Sequence, residues 1–198
     1  LETYQKDAPA MALLARIYIE KYKIDGKRNN SLLDKAAFLS TQAIGIAPNL
    51  PESYINRSFS YTYQGKTEEA QRDIDKATLL NSRYTRINEA LAELEGQKGN
   101  LEHVFKHYAN AYGSTQERYL KFTYGKIYGK MLLERGDYFR ASSILDQIVG
   151  LHQTDVEVVL MLGSAHIFSR KLDAALDLFK KIALLMPDNK VIAEELHK

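Results

Sequence analysis

Two helices are predicted by residues 51–84, PESYINRSFSYTYQGKTEEAQRDIDKATLLNSRY, where apolar side chains recur at helical spacing on both sides of Gly65. Glycine tolerates the left-handed backbone that ends a helix, and Thr67 offers a side-chain oxygen that can cap the next one. Small side chains at Ser58 and Ala70 would let two antiparallel helices approach closely. The stretch therefore predicts a helical hairpin.

Similar residues return every 34 positions along the chain. This spacing joins Gly65 to Gly99, Ala36 to Ala70, Ala43 to Ala77, Ala77 to Ala111, Ile74 to Tyr108, Ala141 to Ala175 and Leu145 to Phe179. A fixed period of this size is typical of stacked helical arrays. We therefore predict an all-α fold in a single array, residues 1–198, with repeats at about 8–50, 51–84, 85–118, 122–155 and 156–189.

Apolar spacing also predicts where the individual helices lie. The predicted pairs are 8–24 with 31–47, 51–64 with 67–80, 85–97 with 100–112, 119–134 with 137–150, and 155–168 with 171–186. Asn100 and Asp137 are predicted N-caps, and Thr154 with Glu157 has the spacing of a capping box. Residues 190–198 are expected to form a partial capping helix over the last pair.

The repeat at 51–84 resembles the tetratricopeptide repeat (TPR) family. Small or aromatic residues stand where that family places its packing positions, and they are Ser58, Tyr61, Gly65, Ala70 and Ala77. Gly129 and Gly163 take the close-contact position in later repeats, whereas Val104 replaces the usual alanine and His166 the usual aromatic. The resemblance implies a right-handed superhelical solenoid of about five antiparallel helix pairs.

The resemblance also implies a function, because in this family the first helices of successive repeats line a concave groove. Such proteins act as protein-interaction scaffolds or adaptors in complex assembly, and the groove would bind a peptide or a partner helix. The implied groove residues are Glu52, Ile55, Asn56, Phe59, Tyr63, Arg86, Glu89, Glu93, Thr123, Lys126, Ile127, Lys130, Leu160, Met161, Ser164 and Phe168. The alternative for the apolar members is packing against neighbouring repeats.

Composition narrows the classes of function. The chain has 27 basic and 25 acidic residues, a net charge of +2, so no strong field favours nucleic acid, and no nucleic-acid partner is expected. It has no cysteine, and only His103 and His107 share a helix face at zinc-binding spacing. We expect no metal, no cofactor and no catalytic residues, because no catalytic constellation is evident.

No apolar run is long enough to span a bilayer, so we expect a soluble segment without direct membrane insertion, cytoplasmic or periplasmic. Because the chain begins at Leu1, it is expected to be a segment of a larger protein or assembly. Two alternative functions stay open. One is a periplasmic TPR segment of a bacterial secretion or exopolysaccharide-export assembly that contacts envelope proteins or polymer. The other is an RNA-binding helical repeat.

Overall fold

The computed structural model describes residues 7–152 and 155–185, and within these ranges every regular element is an α-helix. The ten helices there are α1 (Ala8–Ile24), α2 (Asn30–Ile46), α3 (Pro51–Tyr63), α4 (Thr67–Leu80), α5 (Ile87–Gln97), α6 (Leu101–Ser114), α7 (Arg118–Glu134), α8 (Tyr138–Val149), α9 (Val156–Phe168) and α10 (Leu172–Leu185). Each lies within two residues of its predicted bounds, so the all-α prediction is confirmed. The proposed capping helix 190–198 and Thr154 lie outside the described residues. The predicted capping box was wrong, because the N-cap of α9 is Asp155, whose side chain accepts from Val158 N at 3.0 Å.

The turns of the α3–α4, α5–α6 and α7–α8 hairpins repeat in atomic detail. Gly65, Gly99 and Gly136 have φ between 74° and 77°, a left-handed conformation that favours glycine. In each turn the N–H that follows the glycine donates to a carbonyl five residues back, for example Lys66 N to Tyr61 O at 2.9 Å. This is the bond that closes a Schellman motif.

The predicted caps were partly right. Asp137 accepts from Arg140 N at 3.1 Å and caps α8, as expected. The prediction for Thr67 was wrong, because the N-cap of α4 is Lys66, whose side chain makes no capping bond. The Asn100 side chain donates to the Glu95 carboxylate at 2.6 Å, and its role as the cap of α6 stays a prediction.

The chain divides into two compact units, Leu1–Ala111 (unit 1) and Tyr112–Lys198 (unit 2). In unit 1 each helix from α1 to α5 contacts the next one, and the first helices of successive pairs also touch, α1 with α3 and α3 with α5. One apolar core runs through these helices and includes the fully buried Ile19, Ile55, Phe59 and Leu94. Consecutive hairpins in unit 1 therefore stack in chain order.

Unit 2 follows the same rule, with α7 on α8, α8 on α9, α9 on α10, and α7 on α9. Glycine marks the closest helix crossings. A Cβ added at Gly129 would lie 2.7 Å from Leu145 Cδ2, and one added at Gly163 would overlap the ring of Phe179. These positions were predicted as close contacts, and the packed helices leave no room there for a larger side chain.

Candidate functional site

The predicted groove residues fall into two sets, one in each unit. Glu52, Ile55, Asn56, Phe59, Tyr63, Arg86, Glu89 and Glu93 lie on α3, on α5 or just before α5 in unit 1. Thr123, Lys126, Ile127 and Lys130 lie on α7 and Leu160, Met161, Ser164 and Phe168 on α9, all in unit 2.

The central residues of the unit 1 set are buried. Ile55, Asn56 and Phe59 are 0% exposed, and Arg86 and Glu89 are also buried. Ile55 and Phe59 belong to the apolar core, so a partner could not reach them in this structure. Their burial favours the packing role that the sequence left open for the apolar members. Glu52, Tyr63 and Glu93 keep partial exposure.

Charged side chains from α1 and from the start of α5 meet across α3. The Arg86 guanidinium donates to Glu89 Oε2 at 2.9 Å, to Glu20 Oε1 at 3.1 Å and to Asn56 Oδ1 at 3.3 Å. Lys23 Nζ donates to the other Glu89 oxygen at 2.9 Å. We call Glu20, Lys23, Asn56, Arg86 and Glu89 the unit 1 ion network. It covers the middle of the predicted groove with the protein's own side chains.

Phe59 lies beneath this network. Lys23 Nζ and the Arg86 guanidinium carbon each lie 4.8 Å from the centre of its ring, within the range of cation–π attraction. Asn56 Nδ2 donates to Ala12 O at 2.8 Å, which ties α3 to α1. The buried aromatic ring and the two cations therefore form one packed layer in unit 1.

Burial and ion pairing shift the pKa values of the charged groups in the network in opposite directions. Burial alone would raise the pKa of the Glu89 carboxyl, but the charges and hydrogen bonds of Arg86 and Lys23 outweigh it and hold that pKa well below its usual range. Burial alone would lower the pKa of Lys23, but the attraction of Glu89, Glu20 and Glu93 raises it. Both groups are thus charged at neutral pH, and each is matched by an opposite charge.

A second polar cluster continues along the same face of unit 1. Glu93 accepts from the hydroxyls of Tyr63 and Tyr108, both at 2.8 Å. Lys27 Nζ lies 3.9 Å from Glu93 and 4.8 Å from the Tyr63 ring centre. Burial first, and then the neighbouring Glu93 charge, raise the pKa of Tyr63 far above its usual value. Tyr63 therefore donates a fixed hydrogen bond within the protein.

The α7–α9 face of unit 2 is open by comparison. We use this name for Thr123, Lys126, Ile127, Lys130, Leu160, Met161, Ser164 and Phe168, each of which is at least partly exposed. Phe168 is 63% exposed, and its ring stacks on Tyr138 with centres 4.8 Å apart. Leu160 also packs against a small core that contains Val159 and Phe179. The face thus presents apolar side chains beside a lysine.

Lys126 ties α7 to the start of α9. Its ammonium lies 2.9 Å from Asp155 and 2.7 Å from Glu157, and Asp155 also caps α9 by accepting from Val158 N at 3.0 Å. Burial would lower the pKa of Lys126, but these two carboxylates raise it. Lys126 is therefore a positioning residue, and Lys130, which is exposed, is the cation that the face presents to solvent.

The histidines singled out by the sequence lie beside polar neighbours. His103 Nδ1 lies 3.1 Å from a Glu95 oxygen and His107 Nδ1 lies 3.4 Å from Asn88 Oδ1. Across residues 7–152 and 155–185, no group of three histidine, aspartate or glutamate side chains is arranged to hold a metal ion. In the same ranges no helix is both long enough and apolar enough to cross a bilayer.

Comparison with known proteins identifies the fold. No protein-family model matches the sequence, and no curated protein matches it. Among solved structures, it is similar to YrrB, a TPR protein with an unusual peptide-binding site (TM-score 0.57, 14% identity, 100% of this chain and 95% of that one). It is also similar to TTC0263, a thermophilic TPR protein in Thermus thermophilus, with a TM-score of 0.52 and 18% identity. That match covers 94% of this chain and 97% of the other. A third similar structure is Pseudomonas aeruginosa pilF, with a TM-score of 0.60 and 15% identity. That match covers 93% of this chain and 89% of the other.

The helix order, the glycine turns and the small-residue crossings define the molecule as a helical-repeat protein. The solved structures then specify the class, because the chain has the fold of TPR solenoid proteins. The resemblance predicted from Ser58, Tyr61, Gly65, Ala70 and Ala77 is thereby confirmed at the level of the fold.

Proposed function

We propose that the chain is a non-catalytic protein-interaction scaffold that binds a peptide or a partner helix on the α7–α9 face of unit 2. The observation that carries this proposal is the difference in access between the two sets of predicted residues. All eight residues of the α7–α9 face are at least partly exposed, whereas five of the eight in unit 1 are buried. Tight binding needs side chains that a partner can reach.

The chemistry of the face favours a partner with apolar anchors beside an acidic group. Phe168, Met161 and Ile127 offer apolar surface, and Lys130 supplies a cation that a carboxylate can pair with. Amphipathic helices and extended peptides carry such alternation of apolar and charged side chains. The similarity to YrrB, a TPR protein with a peptide-binding site, supports the same class of partner.

An RNA-binding role finds less support on this face. Single-stranded RNA is held by a basic groove that follows the phosphates, together with aromatic stacking. The face carries two lysines, and Lys126 is already paired with Asp155 and Glu157. A single exposed cation, Lys130, would not follow a phosphate chain, so a protein partner is the better match.

Phe168→Ala is expected to weaken capture of the partner by roughly 30-fold, because an exposed aromatic anchor contributes about 2 kcal/mol when it is fully buried by a partner. The matched control is Phe38→Ala on α2, because Phe38 is 61% exposed and Phe168 is 63% exposed. Both variants would be compared with wild type in a quantitative crosslinking pull-down from native extract, with circular dichroism to check helicity. Normal capture by Phe168→Ala together with loss by Phe38→Ala would refute the proposed face.

A further inference from the structure

The turn between α9 and α10 differs from the α3–α4, α5–α6 and α7–α8 turns in one residue. In those turns glycine takes the left-handed position, whereas here Arg170 takes it, with φ 60°. The turn is closed by the same bond, because Lys171 N donates to His166 O at 2.8 Å, five residues back. A residue with a side chain adopts this conformation only at a cost in free energy. Glycine would close the turn more easily, so the fold does not explain the arginine.

The side chain of Arg170 is exposed and unpaired. Within the part of the chain that the structure describes, no side chain forms an ion pair or a hydrogen bond with its guanidinium, although Asp173 is only three positions further on. The neighbouring Lys171 differs, since its ammonium lies 5.1 Å from the centre of the Phe139 ring, within the range of cation–π attraction. The Arg170 guanidinium is therefore available to an anion from outside the chain.

Arg170 follows the proposed aromatic anchor of unit 2 by two residues. That anchor, Phe168, is 63% exposed, and its ring stacks on Tyr138 at the start of α8. Tyr138 and Ser169 also line a surface cavity of about 500 Å³. The α9–α10 turn thus brings an exposed aromatic ring, a cavity and an unpaired cation to the same end of unit 2.

We infer that Arg170 determines which peptides unit 2 accepts, by pairing with an aspartate or glutamate that lies next to the peptide's apolar anchor. The inference rests on the proposed docking of a peptide on the α7–α9 face, and it adds a specificity-determining residue just outside that face. A guanidinium binds a carboxylate through two parallel hydrogen bonds, which the ammonium of Lys130 cannot form. Left-handed residues other than glycine concentrate at binding sites, where the contact they make offsets their strain.

Random peptides displayed on phage, selected on the wild-type chain and counter-selected on Phe168→Ala, supply a defined probe. The peptides retained by wild type are expected to carry an aspartate or glutamate near an apolar residue, because the face offers an apolar anchor site beside Arg170. Retained peptides without acidic residues would overturn the inference and leave the docking face standing. A wild type that retains no more peptide than Phe168→Ala would overturn the proposed docking, and the inference with it.

A double-mutant cycle with one selected peptide, synthesised and fluorescently labelled, measures the pairing itself. Arg170→Gly is expected to raise the Kd of that peptide roughly tenfold, and replacing the peptide's acidic residue by its amide should do the same. Both changes together should weaken binding no more than either one alone, because they remove the same contact. Lys27→Gly is the matched control, since Lys27 also has φ 60°, and it should leave the Kd unchanged. Losses that add, or an unchanged Kd for Arg170→Gly, would overturn the inference.

Thermal unfolding distinguishes this role from a structural one. Glycine at position 170 relieves the left-handed strain, so Arg170→Gly is expected to melt at the wild-type temperature or up to about 4 °C above it. A melting temperature lowered by more than about 4 °C would show that Arg170 serves the fold, and it would overturn the inference even if peptide binding were also weakened.

Discussion

Replacing Ala70 by glutamate is expected to unfold the hairpin formed by α3 and α4. Ala70 is 0% exposed and belongs to the apolar core of unit 1, where it takes the small-residue position of the repeat. A longer side chain would force the two helices apart, and its carboxylate would be buried without a partner. We expect a loss of about 4 kcal/mol or more in the free energy of unfolding, at the upper end for a single substitution.

Urea unfolding followed by circular dichroism would measure this loss. The matched control is Ala174→Glu on α10, because Ala174 is an exposed helical alanine that receives the same new side chain. It is expected to change stability by about 0.5 kcal/mol or less, as exposed helix positions do. Equal stability of the two variants would contradict the packing role assigned to the small residues.

Arg86→Met is expected to lower the free energy of unfolding by about 3 to 5 kcal/mol at pH 7, the usual cost of removing one partner of a buried ion pair. The substitution takes a cation from Glu89 and from Glu20, and it leaves Asn56 Oδ1 without its donor from Arg86. Glu89 then keeps one cation, Lys23, which donates a single hydrogen bond to it. The loss would be measured by urea unfolding, with Arg83→Met, an exposed arginine in the same loop, as control.

The effect of Arg86→Met should depend on pH. The pKa of Glu89 is lowered in the folded protein, so its ion pairs stabilise the fold fully above its unfolded pKa near 4.5. That stabilisation is lost as pH falls from about 4.5 through the lower folded value, because the carboxylate becomes protonated. The gap between wild type and Arg86→Met should therefore be widest near pH 7 and narrow below about pH 4.5. A gap that does not change with pH would show that the ion pairs do not account for the loss.

The fold could be predicted from the sequence because its determinants are local. Gly65 and Gly136 end helices through their own backbone conformation. A small residue such as Gly163 indicates a close contact between two helices without information from distant parts of the sequence. A period of 34 residues then repeats each signal several times, so errors at single positions, such as the expected cap at Thr67, do not disturb the helix boundaries.

The unit 1 ion network could not be predicted from the sequence. Arg86 and Glu20 are 66 residues apart, and no local pattern links them. The spacing correctly placed Glu20 and Lys23 on a helix but gave no reason to expect Lys23 above Phe59. That contact depends on how α1 packs against α3, which no local sequence pattern specifies.

Site-specific photocrosslinking in native extract would show directly whether a protein partner docks on the α7–α9 face. A photoreactive phenylalanine analogue would replace Phe168 or Met161 on that face, and Phe38 on α2 as the equally exposed reference. We expect positions 168 and 161 to crosslink to the same discrete protein and position 38 not to crosslink to it. Crosslinking of that partner at position 38, with none at positions 161 and 168, would contradict it.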